Sequence, residues 1–155
     1  MAELERAPIR RACVVLLGGR PFAVDIADAR EVIVLDTLTR VPGAPAPVLG
    51  IMNLRGVVLA VVDARPLLGL PARPAAGRGR ALVLADGGRR AAMQIERVLG
   101  LTVFEHVPPS TERASHGELA VGELAGEPGG PATLLDARAV LAALRRPWDS
   151  VLGGS

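Results

Sequence analysis

The feature of this sequence that most restricts its fold is a series of short apolar runs, each broken by glycine or proline. Two runs, 13–17 and 22–26, flank one Gly-Gly pair, and two more, 81–84 and 91–95, flank another. Glycine adopts the positive φ that tight hairpin turns require, so each pair of runs predicts a β-hairpin. Further strands are predicted at 32–35, 48–52, 57–62 and 98–104. Short strands at this spacing indicate a mainly β fold of small barrels rather than a doubly wound sheet.

The second half of the chain repeats the pattern of the first. The offset between the two predicted hairpins is nearly the same as the offset between two Asp-Ala-Arg segments, 63–65 and 136–138. Such a repeat predicts two related lobes of about five strands each. The alternative is chance similarity, because stretches rich in Ala, Val and Leu match one another easily.

A regular helix is predicted only near the C-terminus. Asp136 is a suitable N-cap, apolar residues within 140–144 share one face, and Pro147 is expected to end the helix. Asp63 is expected to cap a shorter helical turn that ends at Gly69.

The expected organisation is a flexible N-terminus, one domain of two lobes, and a C-terminal tail. The ranges are 1–9 for the N-terminus, 10–146 for the domain, about 10–72 and 78–146 for its two lobes, and 147–155 for the tail. The Pro-, Ala- and Arg-rich stretch 73–80 is the expected mobile connection between the lobes. Exposed loops are expected at 112–117 and 126–130.

Composition excludes several chemistries. All 18 cationic side chains are arginine, so neither a phosphate-loop lysine nor a Schiff-base lysine is present. Cys13 is the single cysteine, which rules out an intrachain disulfide and fits a reducing compartment. The net charge is only +2 and aromatic residues make up 2% of the chain, whereas nucleic-acid binders cluster cations and stacking aromatics.

No catalytic or metal-binding constellation is apparent. Ser115 and His116 are adjacent, but they lie in a polar, glycine-containing stretch that is typical of a solvated loop. His106 and His116 would need carboxylates to complete a zinc site. Cys13 lies in an apolar strand, where a buried and inert thiol is expected. We therefore expect a protein that is not an enzyme and that carries no catalytic residues, cofactor or metal.

The apolar stretches are too short for a membrane helix. The longest uncharged ones, 41–54 and 56–62, are separated by Arg55 and contain proline and glycine, whereas a bilayer span needs about 20 apolar residues. The first residues, 1–6, carry mixed charge, unlike a secretory signal. The expectation is a soluble, cytoplasmic protein with no direct membrane insertion.

The most specific segment of the chain is the four-residue connection 53–56 between two strongly apolar strands. Its sequence is Asn53-Leu54-Arg55-Gly56, and Asn and Gly at its ends favour a tight turn or bulge. Arg55 would be held at a fixed point there, either paired with a carboxylate of this chain or presenting its guanidinium to a partner. Spacing alone does not separate these two alternatives.

This segment resembles the signature of the CheW family of bacterial chemotaxis coupling proteins. The matching features are the prolines, the glycine five residues before the arginine, the Asn-Leu-Arg-Gly turn, an apolar strand and an aspartate. In this chain they are Pro42, Pro45, Gly50, Asn53–Gly56, 57–62 and Asp63. The hairpin with 22–26 followed by Glu31, and the ending Leu134-Leu135-Asp136, also resemble the family, so that the similarity covers roughly 11–144.

The resemblance implies two five-stranded, SH3-like barrels on a shared apolar core and a non-catalytic adaptor. It implies coupling of methyl-accepting chemoreceptors to a CheA-type histidine kinase, through the cytoplasmic tip of the receptor and the regulatory domain of the kinase. Such a protein would be cytoplasmic and recruited to receptor arrays. The partner-binding residues implied are Glu31, Gly50, Asn53, Leu54, Arg55 and Gly56.

The chain departs from the family pattern at three places, of which two concern packing only, and the third, Ile95-Glu96-Arg97, leaves the partner's identity open. Ala60 stands where the family often has proline, Ala29 where valine is common, and Ile95-Glu96-Arg97 where Val-Asp is usual. A chemotaxis-like pathway other than flagellar chemotaxis is compatible with these changes. The alternative from another class is a small β-barrel that binds nucleic acid.

Overall fold

The computed structural model describes residues 9–71, 79–105, 117–126 and 128–152, with the last eight described by their backbone only. Within these ranges the chain forms ten β-strands, one α-helix and two 3₁₀ turns, Pro66–Leu68 and Gly117–Leu119. The elements are β1 (Arg10–Leu17), β2 (Arg20–Asp25), β3 (Ala29–Val34), β4 (Val48–Leu54), β5 (Val57–Val62), β6 (Arg80–Asp86), β7 (Arg89–Ile95), β8 (Arg97–Phe104), β9 (Ala120–Leu124), β10 (Ala132–Leu135) and α1 (Ala137–Leu152). The mainly β class and the C-terminal helix are as predicted.

The strands form two five-stranded sheets with the same internal order. The first sheet runs β8-β1-β2-β10-β9 and the second runs β3-β6-β7-β5-β4. Exchanging β1–β5 for β6–β10 converts one order into the other. The parallel pair β2–β10 of the first sheet likewise corresponds to the parallel pair β5–β7 of the second. The repeat predicted from the sequence is therefore present in the topology.

The two halves of the chain are interleaved rather than placed side by side. Each sheet takes the first two strands of one half and the last three strands of the other. The predicted division into lobes at about 10–72 and 78–146 is therefore wrong as a grouping of strands. Each strand has two hydrogen-bonding edges, and pairing within a hairpin uses only one of them. The strand that pairs with the other edge comes from a distant part of the chain.

The described residues form three apolar clusters, of which the central one holds the two sheets together. The central cluster draws on both sheets and on α1, and it includes the fully buried Phe22, Leu82 and Met93. Each sheet also has an inner cluster on its other face, around Val14 in the first sheet and Val61 in the second. Because side chains alternate along a strand, each sheet buries both faces, as a pair of small barrels on a shared core requires.

The helix begins as predicted but extends beyond the expected end. An Asp136 carboxylate oxygen accepts the N–H of Ala139 at 3.2 Å, and Val140, Leu141 and Leu144 are buried. The helix passes through Pro147 and ends at Leu152, so the prediction that Pro147 ends the helix is wrong, and the expected tail is helical as far as Leu152. A proline has the φ of a helix and omits only its own N–H donor, so it does not by itself end a helix.

The short helical turn that ends at Gly69 forms as predicted, but its N-cap is Arg65 and not Asp63, and no side chain caps it. A carboxylate oxygen of Asp63 accepts the N–H of Arg65 at 3.0 Å, and the 3₁₀ turn Pro66–Leu68 ends at Gly69 with φ 71°. Other predicted features lie wholly or mostly outside the described residues. They are the N-terminus 1–9, of which Ile9 is described, most of the connection 73–80, and most of the loop 112–117.

Candidate functional site

The connection between β4 and β5 is a two-residue hairpin turn. Leu54 pairs with Val57, and the two residues between them, Arg55 and Gly56, have φ values of 49° and 88°. Two positive φ values in succession are the mark of a type I′ turn, whose twist matches that of the flanking strands. The Asn53 side-chain oxygen accepts the N–H of Gly56 at 2.7 Å and holds the turn closed. The predicted tight turn is confirmed.

Arg55 occupies a backbone conformation that its side chain does not favour. It is the one non-glycine residue with a positive φ in the described part of the chain. Asn, Asp and Gly are the residues usually found in this region, because a longer side chain crowds the backbone there. Residues held in such conformations are enriched at functional sites. The side chain of Arg55 is 69% exposed, so packing does not explain why arginine stands here.

Arg55 forms a two-pronged ion pair with Glu31 of β3. Its Nη2 donates to Oε1 of Glu31 at 2.8 Å and to Oε2 at 2.6 Å. This hydrogen bonding raises the pKa of the Arg55 guanidinium. The sequence left open an internal pair and a guanidinium presented to a partner. The structure has an internal pair whose arginine is still exposed, so the guanidinium is both oriented and accessible.

The ion pair connects distant parts of the second sheet. Glu31 lies on β3, one edge of that sheet, and Arg55 follows β4, the opposite edge. A second link closes the same sheet, because Thr39 and Ile51 of β4 exchange two backbone hydrogen bonds of 2.9 Å. The sheet is thus curled until its two edges are connected, as in a small barrel.

Gly50 permits the Thr39 link. It is buried in β4 beside a register shift between Val48 and Gly50. A Cβ at this position would lie 2.8 Å from the carbonyl oxygen of Thr39, closer than real Cβ contacts come. Glycine is therefore required here because another backbone passes close to it.

A cavity of about 510 Å³, here called the Arg55 cavity, adjoins the ion pair. It is lined by Arg30, Glu31, Leu54, Arg55, Val57, Leu59, Val83 and Arg90. Leu59 and Val83 belong to the inner cluster of the second sheet, so the cavity has an apolar floor and a charged rim. Of the predicted site residues, Glu31, Leu54 and Arg55 meet here, Asn53 and Gly56 shape the turn, and Gly50 acts apart from the cavity at the Thr39 link.

Sequence reasoning missed the other two cavity arginines and a set of exposed apolar residues. Arg30 directly precedes Glu31, but only the sheet brings Arg90 of β7 close to them. The exposed apolar residues lie on β3 and β8, edge strands at equivalent positions in the two sheets: Val32, Val34, Leu101 and Val103. Alternation along the strands could have indicated these positions, but not that both strands are edges.

The remaining candidate residues lie elsewhere or outside the described ranges. Cys13 is a buried free thiol, and burial raises its pKa. His106, Ser115 and His116 lie outside the described residues. In the part of the chain that the structure does describe, no group of three or more His, Cys, Asp or Glu residues could hold a metal ion. None of the helices found there is long and apolar enough to cross a membrane.

Comparison with known proteins identifies relatives of this chain. It is 32% identical over 72 residues to the chemotaxis protein CheW of Bacillus subtilis, covering 46% of each chain. It is 36% identical over 104 residues to the chemotaxis protein CheW of Rhizobium meliloti, covering 66% of this chain and 67% of the relative. The chain thus matches about half the length of the first relative and two thirds of the second.

The fold also matches a solved structure. The crystal structure of the scaffolding protein TtCheW from Thermoanaerobacter tengcongensis superposes with a TM-score of 0.73 and 20% identity, covering 83% of this chain and 90% of that one. The fold expected from the resemblance is therefore confirmed. The family model described as "CheW-like domain" matches residues 11–145. Since this match includes the Arg55 turn, both sheets and the start of α1, the chain belongs to the CheW-like domain family.

Proposed function

We propose that this chain is a non-catalytic adaptor that couples methyl-accepting chemoreceptors to a CheA-type histidine kinase, in chemotaxis or a chemotaxis-like pathway. Its partners would be the regulatory domain of the kinase and the cytoplasmic tip of the receptor. It would act in the cytoplasm, recruited to receptor arrays. Membership of the CheW-like family and the similarity to proteins named chemotaxis protein CheW support this proposal.

The single observation that carries the proposal is that Arg55 is exposed, strained in its backbone and held in one orientation by Glu31. An exposed arginine is kept at φ 49° in a turn where glycine or asparagine would be less strained. Both oxygens of Glu31 accept hydrogen bonds from it, which limits the orientations of the guanidinium. A charged group that is oriented before binding loses less conformational entropy when a partner arrives. We take Arg55 as the anchor for the partner.

The exposed apolar residues on the edge strands fit an adaptor as well. Val34 of β3 is 56% exposed, and Leu101 and Val103 of β8 are 61% and 63% exposed. An edge strand with exposed apolar side chains is a surface on which another protein can pack or add a strand. The two sheets present such strands at equivalent places, so one chain offers two similar surfaces.

The test combines binding and stability measurements on Arg55 variants. We expect Arg55→Ala to weaken binding to the kinase regulatory domain or to the receptor tip by about tenfold or more, as for an arginine anchor in an interface. Arg55→Gly removes the side chain and the backbone strain together, so it should weaken binding equally and leave the protein at least as stable. Titration calorimetry measures the binding, and circular dichroism measures thermal unfolding.

Arg20→Ala is the matched control, because Arg20 is also an exposed arginine beside a hairpin turn but lies in the other sheet. It should change neither binding nor stability. Unfolding of both Arg55 variants would show that the arginine is structural and contradict the proposal, as would unchanged binding. A salt-sensitive mobility shift of labelled DNA or RNA at physiological ionic strength, with no binding to either protein, would favour the nucleic-acid alternative.

A further inference from the structure

The rim of the Arg55 cavity carries more positive charge than its own residues neutralise. Three guanidinium groups, those of Arg30, Arg55 and Arg90, face one carboxylate, that of Glu31. Both Glu31 oxygens already accept hydrogen bonds from Arg55. Among the described residues, neither Arg30 nor Arg90 has a salt bridge or a side-chain hydrogen bond. Two arginines at this cavity are therefore available to an acidic group from outside.

The backbone directs both of these arginines to the rim. The pairing of β3 with β6 shifts register between Ala29 and Glu31, which leaves Arg30 as the extra residue of a bulge. Bulges re-aim side chains and are frequent at sheet edges and barrel rims. Arg90 lies on the same face of β7 as Ala92, and Ala92 belongs to the inner cluster of the second sheet. Arg90 therefore stands on the cavity side of its strand.

We propose that the Arg55 cavity is the docking site for a partner segment that presents a carboxylate beside an apolar side chain. The carboxylate pairs with Arg30 and Arg90, and the apolar side chain packs on Leu54 and Val57, the apolar lining residues with exposed surface. This inference rests on the proposed function, because the segment belongs to one of the two protein partners of the adaptor. It adds the chemistry of the partner and two binding residues, Arg30 and Arg90.

Charge and shape together select this occupant. A net excess of guanidinium groups requires an anion, and their planar forks match a carboxylate well. The exposed apolar surface of Leu54 and Val57 gains nothing from a bare anion or a sugar–phosphate backbone, whereas it packs favourably with an apolar side chain. The volume of about 510 Å³ lies within the range of ligand pockets, about 300–1,000 Å³, which is enough for a few side chains of a protein segment.

The experiment measures the affinity of each partner, kinase regulatory domain and receptor tip, for charge-removing variants of the full chain. The variants are Arg30→Gln, Arg90→Gln and the double variant, each measured at about 0.05 and about 0.5 M salt. We expect the single variants to weaken binding of one partner about three- to tenfold and the double variant more than about tenfold. The double variant should also show a weaker dependence of affinity on salt.

Arg89→Gln is the matched control. Arg89 is the neighbour of Arg90 and is also exposed, but it does not line the Arg55 cavity. It lines a second cavity beside α1, which Arg90 also borders. The same change of charge there should alter affinity less than about twofold, since it removes only a long-range contribution. Arg30→Lys with Arg90→Lys keeps the charges and should recover part of the affinity. Thermal unfolding should be unchanged in every variant, because the substituted side chains are exposed.

The outcomes separate this inference from the proposed function. If the double variant binds both partners like the wild type while Arg55→Ala binds neither, the adaptor function stands and the acidic docking site is wrong. If the wild-type chain binds neither partner, the proposed function fails and the docking site fails with it. If the double variant instead loses binding to a labelled DNA duplex at physiological salt, the arginines serve a nucleic acid and the inference is overturned.

Discussion

Gly50→Ala should destabilise the protein by forcing Thr39 away from β4. The added Cβ would lie 2.8 Å from the carbonyl oxygen of Thr39 and 3.3 Å from the Cβ of Leu38. The nearest atom belongs to a backbone that is itself hydrogen-bonded to the next residue of β4, Ile51. A change of side-chain rotamer therefore cannot relieve the contact, and the crossing segment has to move.

The size of the effect follows from the contacts that this movement breaks. Thr39 and Ile51 exchange two hydrogen bonds of 2.9 Å. Each backbone hydrogen bond contributes about 0.5–1.5 kcal/mol net, and overpacking a buried site costs about 1–3 kcal/mol. The two costs overlap, because moving the segment relieves part of the steric contact. We expect a loss of about 2–4 kcal/mol, which for a chain of this length lowers the melting temperature by roughly 5–15 °C.

Thermal and urea denaturation followed by circular dichroism measure this loss. Gly88→Ala is the control, because a Cβ at Gly88 meets no atom within 4 Å and its φ is not in the left-handed region. A melting temperature for Gly50→Ala within about 2 °C of the Gly88→Ala value would refute the reasoning. Loss of partner binding at unchanged stability would show that Gly50 acts directly in recognition, as the family resemblance implies, and not through the Thr39 link.

Two further predictions concern buried ionisable groups. Burial alone would raise the pKa of Asp63, but the hydrogen bonds from Arg65 outweigh it and lower that pKa. The stabilisation that the ionised Asp63 gains from Arg65 is therefore complete above the unfolded pKa of about 3.9, and it is lost as the pH falls through the lower pKa of the folded protein. The difference in urea midpoint between the wild type and Asp63→Asn should narrow below about pH 4. Cys13 is buried and its pKa is raised, so at pH 8 a thiol reagent should modify it only as fast as the protein unfolds, and fast modification of the native protein would contradict this.

The local elements were predictable because neighbouring residues decide them. The Gly-Gly pairs place the hairpin turns, the Asn53–Gly56 turn forms where Asn and Gly flank it, and Asp136 caps the helix that follows it. The end of that helix was not predictable from Pro147, since the loss of one donor is a small local penalty that the rest of the helix outweighs.

The partition of strands between the sheets was not visible in the sequence. The repeat predicts ten strands in two equivalent sets, but β2 pairs with β10 across most of the chain, and β5 pairs with β7 across the boundary between the two halves. Alternating apolar residues show that a strand has a buried face, and they do not show which distant strand lies beside it. An arrangement of two separate lobes satisfies the same pattern.

The sequence by itself determined the β class, the repeat, the turns and the family, because these depend on local backbone preferences and on residues in fixed order. Only the tertiary structure decided which side chains surround Arg55. It curls the second sheet until Arg55 reaches Glu31, and it places Arg30 and Arg90 around the same cavity. Side chains far apart in the chain become neighbours only through hydrogen-bonded pairing and closure of the sheet, and no local property of the chain encodes that contact.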